Sequence, residues 1–164
     1  PVEGWKALSP LTLRSVISSS EMCEATVAEA DSADICILCA AVADFTPSII
    51  ANQKIKKEAG QTSLTLELQT TTDIAAALGK KKRKNQTLVG FALETHNELA
   101  NAERKMQAKN LDMIVLNSLQ DQGAGFGVDT NKVTLLYPDG TQKKLPLKSK
   151  EEVADAIIDA INPF

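Results

Sequence analysis

Between Cys39 and Lys57 the chain reads CAAVADFTPSIIANQKIKK, passing within one segment from small apolar residues to a single carboxylate, Asp44, and then to Lys54, Lys56 and Lys57. Small side chains let a ligand approach the backbone, and a lysine ammonium is a point-charge partner for phosphate oxygens. Lys105 and Lys109 are spaced i, i+4, which on a helix sets two like charges side by side unless an anion lies near them. A polyphosphate is one such anion. Two other apolar runs end in polar or aromatic groups: Gly90, Phe91 and Glu94 in GFALET, and Asn117, followed by the glycine-rich stretch Gly123 to Gly127. An edge rich in lysine and poor in carboxylates suits the positioning and neutralising of anionic oxygens in phosphoryl or nucleotidyl transfer better than general acid–base chemistry. Each feature also has a plainer reading, as an ordinary strand-to-helix turn or a solvated lysine. The basic run Lys80 to Lys84 reads as a surface helix end, where cations are favoured.

Counting disfavours other chemistries. His96 is the only histidine, so a multi-histidine metal site is excluded and a Ser-His-Asp arrangement is not indicated. Neither a Gly-x-Gly-x-x-Gly fingerprint nor a Walker loop is present, which disfavours a nicotinamide-dependent oxidoreductase. Cys36 and Cys39 form a C-x-x-C, but inside the apolar run DICILCAA, where residues three apart on a strand face opposite ways; with Cys23 they read as core thiols. The 164 residues are 43% hydrophobic and 24% charged, with a net charge of −3, the size and balance of one globular domain with no call for a nucleic-acid partner. No run reaches the roughly 18 apolar residues of a membrane span, and no basic-then-apolar leader opens the chain, so it reads as soluble and intracellular. It begins at Pro1 in mid-pattern, as a piece of a longer protein would.

The elements that must position these residues alternate between strand and helix. SSSEMCEATVAEAD reads as a helix capped by Ser19 or Ser20, and DICILCAAV as a fully buried strand. SLTLELQ, with period-two alternation, reads as a half-exposed strand, and TTTDIAAALGKKKRK as a helix with a threonine cap and a basic end. TLVGFAL and LDMIVLNS read as buried strands, with NELANAERKMQAKN between them as a helix capped by Thr95 or Asn97. KVTLLYPDGTQKKLPL reads as a hairpin turning at Pro138-Asp139-Gly140, and SKEEVADAIIDAI as a capped amphipathic helix. The expected fold is therefore α/β: a three-layer, doubly wound, mainly parallel sheet with a late antiparallel hairpin. Ligands of such sheets sit beyond the carboxyl ends of the strands, which directs attention to residues 40–44, 91–95 and 117 onward.

Five motifs in order, AAVADFTP…QKIKK, TDIAAALG, LVGFALET, ERKMQAKNLDMIVLN and GAGFGVDTNKVTLL, closely resemble the phosphopantothenoylcysteine synthetase domain of the bacterial coenzyme A pathway. The resemblance runs from about residue 20 to the end. It implies a Rossmann-like fold, a homodimer, a cytoplasmic location, and a ligase that uses CTP with Mg2+. In most bacteria that domain is the C-terminal half of a multifunctional enzyme whose N-terminal half is a decarboxylase, and FMN would belong only to that half. The implied reaction activates the carboxylate of 4'-phosphopantothenate as an acyl-cytidylate with release of pyrophosphate. The amine of L-cysteine then displaces CMP.

Carried over by position, the resemblance implies that Leu38, Cys39 and Ala40 meet the nucleotide at a strand end and that Asp44 contacts CTP. It assigns Lys54 both catalytic and nucleotide-binding roles, near the phosphates and the acyl-phosphate oxygens. Thr72, Asp73, Ile74 and Ala75 occupy the family's Pro-Asp-Ile-Val nucleotide segment, with Thr72 in place of the proline. Phe91 matches the aromatic nucleotide contact, and Lys105 and Lys109 match the lysines at the triphosphate. No protein metal ligands are implied, Mg2+ being carried by the nucleotide phosphates. Thr46 stands where the family usually has arginine. Residues 1–164 are thus expected to be one domain, the C-terminal part of a ligase domain lacking its N-terminal glycine-rich segment, and inactive as a synthetase alone. The alternative is a non-catalytic nucleotide-binding or dimerisation fragment of that protein, with neither nucleic acid nor membrane as a partner.

Overall fold

Alternation of side chains along two neighbouring strands builds two cores, one on each face of a sheet. The computed structural model describes residues 11–94, 96–118 and 127–161. In chain order the elements are α1 (Ser19–Ala30), β1 (Ile35–Leu38), β2 (Phe45–Pro47), β3 (Leu68–Thr70), α2 (Ile74–Lys81), β4 (Thr87–Glu94) and α3 (Glu98–Ala108). They continue with β5 (Met113–Ser118), β6 (Thr130–Asn131), β7 (Val133–Leu136), β8 (Gln142–Lys144), β9 (Lys148–Ser149) and α4 (Lys150–Ile161). The main sheet has the order β1-β4-β5-β7-β8; β1, β4 and β5 are parallel, while β7 and β8 join antiparallel. Leu88 and Ala92 of β4, with Ile114 and Leu116 of β5, face α1, α2 and α3 through Ala30, Ile74, Leu78, Ala102 and Met106. Val89, Met113 and Val115 point the other way, onto Val153 and Ile157 of α4. The result is the three-layer, mainly parallel α/β architecture that the alternating pattern implies. The late hairpin turns where expected, with Gly140 at φ 84° and the Gly140 N–H donating to the Tyr137 carbonyl.

Several local expectations need correction. β1 is not fully buried: Ile35 and Ile37 are 39% and 38% exposed, because β1 is the outermost strand of the sheet among the described residues. Apolar composition records a strand's preference for burial and cannot say whether both its sides are occupied. Cys39 lies beyond β1 and is exposed, whereas Cys36 packs against the core, and burial raises its thiol pKa against the lowering influence of Arg83. The expected strand over SLTLELQ shrinks to β3, which pairs antiparallel with β2 in a separate two-stranded sheet.

Helix caps also shift. Ser18, not Ser19 or Ser20, caps α1 by accepting from the Glu21 N–H. Asp73, not a threonine, caps α2 by accepting from the Ala76 N–H at 2.9 Å. Asn97 precedes α3 in a left-handed conformation and makes no side-chain cap, while Thr95 lies outside the described residues. Ser149 and Glu152 form a reciprocal capping box at α4.

Candidate functional site

A cavity of about 360 Å³ opens at the carboxyl end of β1, between the start of α2 and one face of α3. That volume falls within the roughly 300–1,000 Å³ of small-molecule sites. Leu38, Cys39 and Ala40 form one wall, Thr72, Asp73, Ile74 and Ala75 a second, and Gly90 and Phe91 the floor side from β4, with Lys105 and Lys109 closing from α3. Asp44 stands at the rim. Every residue that the resemblance assigns to the nucleotide except Lys54 therefore lines one cavity, whereas Glu94 and Asn117, also marked as strand-end groups, do not. Lys54, Lys56 and Lys57 lie on the exposed connection between β2 and β3, and Lys54 is not among the lining residues. Of the glycine-rich stretch, Gly123 to Phe126 lie outside the described residues.

Local chemistry explains why these pieces meet. The loop after β1 is pinned by Thr71, whose hydroxyl donates to the Ala43 carbonyl at 2.6 Å and whose N–H donates to the Asp44 carbonyl at 2.9 Å. That fixes the Asp44 backbone while its carboxylate finds no partner among the described residues. The start of α2 presents the positive end of the helix dipole to the same space. Asp73 there is partly buried, which works to raise its pKa, but the Ala76 N–H, the hydrogen bond and charge of Lys109, and the Ala75 N–H outweigh burial and hold it below the usual carboxylate range.

The lysine pair is not left to repel. Lys109 Nζ lies 3.0 Å from Asp73 Oδ2, and Lys105 Nζ lies 2.5 Å from Glu94 Oε1. The anions expected near these cations are thus, in this structure, two carboxylates of the chain itself. Glu94 was legible only as an acid at a strand end; nothing in the sequence shows that β4 and α3 bring it to Lys105.

A second missed feature is the crossing of α2 on the end of α3. A β-carbon built on Gly79 would sit 1.9 Å from the Lys109 carbonyl oxygen, so only glycine permits this approach. Asn110, at φ 52°, ends α3 and donates from its side chain to the Gly79 carbonyl at 3.0 Å. Lys82 then donates to the Asn110 carbonyl and to Asp112 Oδ1, both at 2.8 Å, while Asp112 Oδ2 accepts from the Leu88 N–H at 2.7 Å. With a side chain only 12% exposed, Lys82 belongs to this clamp and not to a plain surface cluster. Arg83 likewise donates to the Ala33 carbonyl, tying the basic run back to β1.

A family model described as the DNA/pantothenate metabolism flavoprotein C-terminal domain matches residues 3–164. The chain belongs to this family. Among curated members, it is 51% identical over 163 residues to a cysteine/cysteine sulfinic acid decarboxylase from an unknown prokaryotic organism, covering 94% of this chain and 45% of that protein. It is 48% identical over 146 residues to the coenzyme A biosynthesis bifunctional protein CoaBC of Bacillus subtilis, covering 89% of this chain and 35% of that one. The chain therefore spans less than half the length of these relatives. A crystal structure of the C-terminal domain of a coenzyme A biosynthesis bifunctional protein CoaBC superposes with a TM-score of 0.69 at 39% identity, covering 89% of this chain and 64% of that one. The flavoprotein-family fold and the mainly parallel sheet agree with the architecture derived above.

Proposed function

We propose that this chain forms the nucleotide-binding part of a phosphopantothenate–cysteine ligase of coenzyme A biosynthesis. What supports it most is the convergence of the residues of four separate motifs on one cavity at the carboxyl end of β1. In this role Leu38 to Ala40 and Thr72 to Ala75 flank the base and sugar of CTP, and backbone groups there select cytosine over adenine. Phe91 packs against the nucleotide, while Asp44 offers at the rim a carboxylate that has no partner among the described residues. Lys105 and Lys109 face the triphosphate. Among the described residues no group of three or more histidine, cysteine, aspartate or glutamate side chains is arranged to hold a metal ion. In this reading Mg2+ would be carried in on the phosphates, where it would shield their charge.

Chemically, an oxygen of the 4'-phosphopantothenate carboxylate bonds to the α-phosphorus of CTP while the bond to the β-phosphate oxygen breaks, and pyrophosphate leaves. The cysteine amine then attacks the acyl carbon, loses a proton, and CMP departs with the electrons of the acyl–oxygen bond. Little covalent chemistry is asked of the protein; it supplies position and positive charge. Lys54, on its exposed connection, would close over the reacting phosphate as substrate binds.

Homodimerisation belongs to the same proposal, and its support is the apolar surface that this connection leaves to solvent: Phe45, Ile49, Ile50, Leu64 and Leu66 are all exposed. No helix among the described residues is long and apolar enough to cross a membrane. Phosphopantothenate-dependent release of pyrophosphate from CTP by the full-length protein tests the proposal. Lys54→Gln should reduce that rate by about 100-fold with the unfolding midpoint unchanged. An undiminished rate would remove Lys54 from the mechanism, and no release by the wild type would overturn the ligase assignment.

A further inference from the structure

Two lysines line the cavity, but they are held differently. Lys109 pairs with Asp73, whose side chain is 47% exposed and which itself borders the cavity. Lys105 pairs with Glu94, which is only 12% exposed and does not border it. Glu94 ends β4, and both its oxygens are occupied: Oε1 by Lys105 at 2.5 Å and Oε2 by Asn101 Nδ2 at 3.2 Å. Asn101 is fixed in turn, its Nδ2 also donating to the His96 carbonyl at 2.9 Å and its Oδ1 accepting from Arg104 at 3.1 Å. Asn101 and Lys105 are i, i+4 on α3, so Asn101, Lys105 and Lys109 follow one another along one face.

A lysine side chain has four rotatable bonds and gives up much of its rotamer freedom when held. Without a fixed carboxylate, Lys105 would turn toward bulk water and away from the like charge of Lys109. A carboxylate held from behind by an amide removes that freedom before any ligand arrives, and leaves two of the three ammonium donors for the cavity side.

We propose that Glu94 is a positioning residue: its largely buried carboxylate, braced by Asn101, fixes the Lys105 ammonium at the cavity wall for the phosphates of the nucleotide. The inference rests on the nucleotide role given to the cavity above. Glu94 touches no substrate and acts only through Lys105. Asp73, by contrast, can release Lys109 to an incoming phosphate while keeping its own hydrogen bond to the Ala76 N–H.

The test is a double-mutant cycle in the full-length protein, read as the KM for CTP and kcat of phosphopantothenate-dependent pyrophosphate release. Glu94→Gln should raise that KM about tenfold with kcat within about twofold. Added to Lys105→Met, the same change should raise it by less than about twofold, because the group through which Glu94 acts is already gone. Asn101→Ala should give a smaller rise that also vanishes in the Lys105→Met background, and it covers the case in which Glu94→Gln fails to fold. Equal rises in both backgrounds, or no rise in either variant while Lys105 is present, would overturn the positioning role alone. An unchanged KM in Lys105→Met would overturn the nucleotide role of the cavity together with it.

Discussion

The two sides of the cavity mouth are built to different standards. On the α3 side, Lys105 and Lys109 are paired, the ends of α2 and α3 are clamped through Gly79, Asn110, Lys82 and Asp112, and the strands behind bury Leu88, Val89, Ile114 and Val115 completely. On the other side, the chain from Phe45 to Thr70 has as its regular structure only β2 and β3, three residues each, which pair with one another, and leaves Ile49, Ile50 and Ile55 exposed. The first side is organised before a ligand arrives; the second has few contacts to lose by moving. On the proposed function, that division would let fixed cations on the wall hold the triphosphate while Lys54, on the open segment, closes over the bound substrates.

If the α3 side is rigid because of its clamp, breaking the clamp should be costly. Gly79→Ala drives a β-carbon into the Lys109 carbonyl, and we expect a loss of about 3 kcal/mol in a urea unfolding series. A loss under about 1 kcal/mol would mean that the two helices part easily and that the contrast between the sides is weak.

The next effect is smaller and depends on pH. The pKa of Asp73 is lower in the folded chain than the value near 3.9 of an unfolded aspartate, so the folded state binds its proton less readily. Its contribution to stability is therefore complete above the unfolded pKa and fades as pH falls through the folded one. Asp73→Asn should destabilise the protein at pH 6 and approach the wild-type stability as the pH drops from about 5 to below 3. A difference that stays constant over that window would show that the Lys109 pair contributes nothing through charge. Least of all should change at a polar position of the open side: Gln53, exposed on the connection between β2 and β3, should tolerate Gln53→Ser within about 0.5 kcal/mol.

Much of this arrangement was legible before any coordinates. Period-two and buried-strand patterns mark β4, β5 and the β7–β8 hairpin because both faces of those strands impose their demands on consecutive residues. Ala40, Asp44 and Phe91 were legible because motifs at strand ends are local, whereas the wall from Thr72 to Ala75 was reached only through the family resemblance. What could not be read were pairings across the chain: Lys105 finds Glu94 and Lys109 finds Asp73 only once the sheet sets α2, β4 and α3 side by side. The same holds for Gly79, whose need for a bare α-carbon arises from a helix 30 residues on. β1 shows the opposite failure, since its composition announces burial while its position at the end of the sheet leaves it partly exposed. Lys54 was marked with Lys56 and Lys57 as a phosphate partner and chosen among them by resemblance, and its place on the open segment is a matter of contacts that no local pattern encodes.

The most direct measurement is a titration of 15N-labelled protein with CTP and Mg2+, followed by amide chemical shifts. A nucleotide seated as proposed should perturb Ala40, Ala75, Gly90 and Phe91 saturably, with Lys105→Met weakening the response. A second cavity, of about 380 Å³, lies between α1 and β1 and includes Arg14, Glu29, Ala33 and Ile35. Shifts confined to that second cavity, or none at either place, would contradict the account.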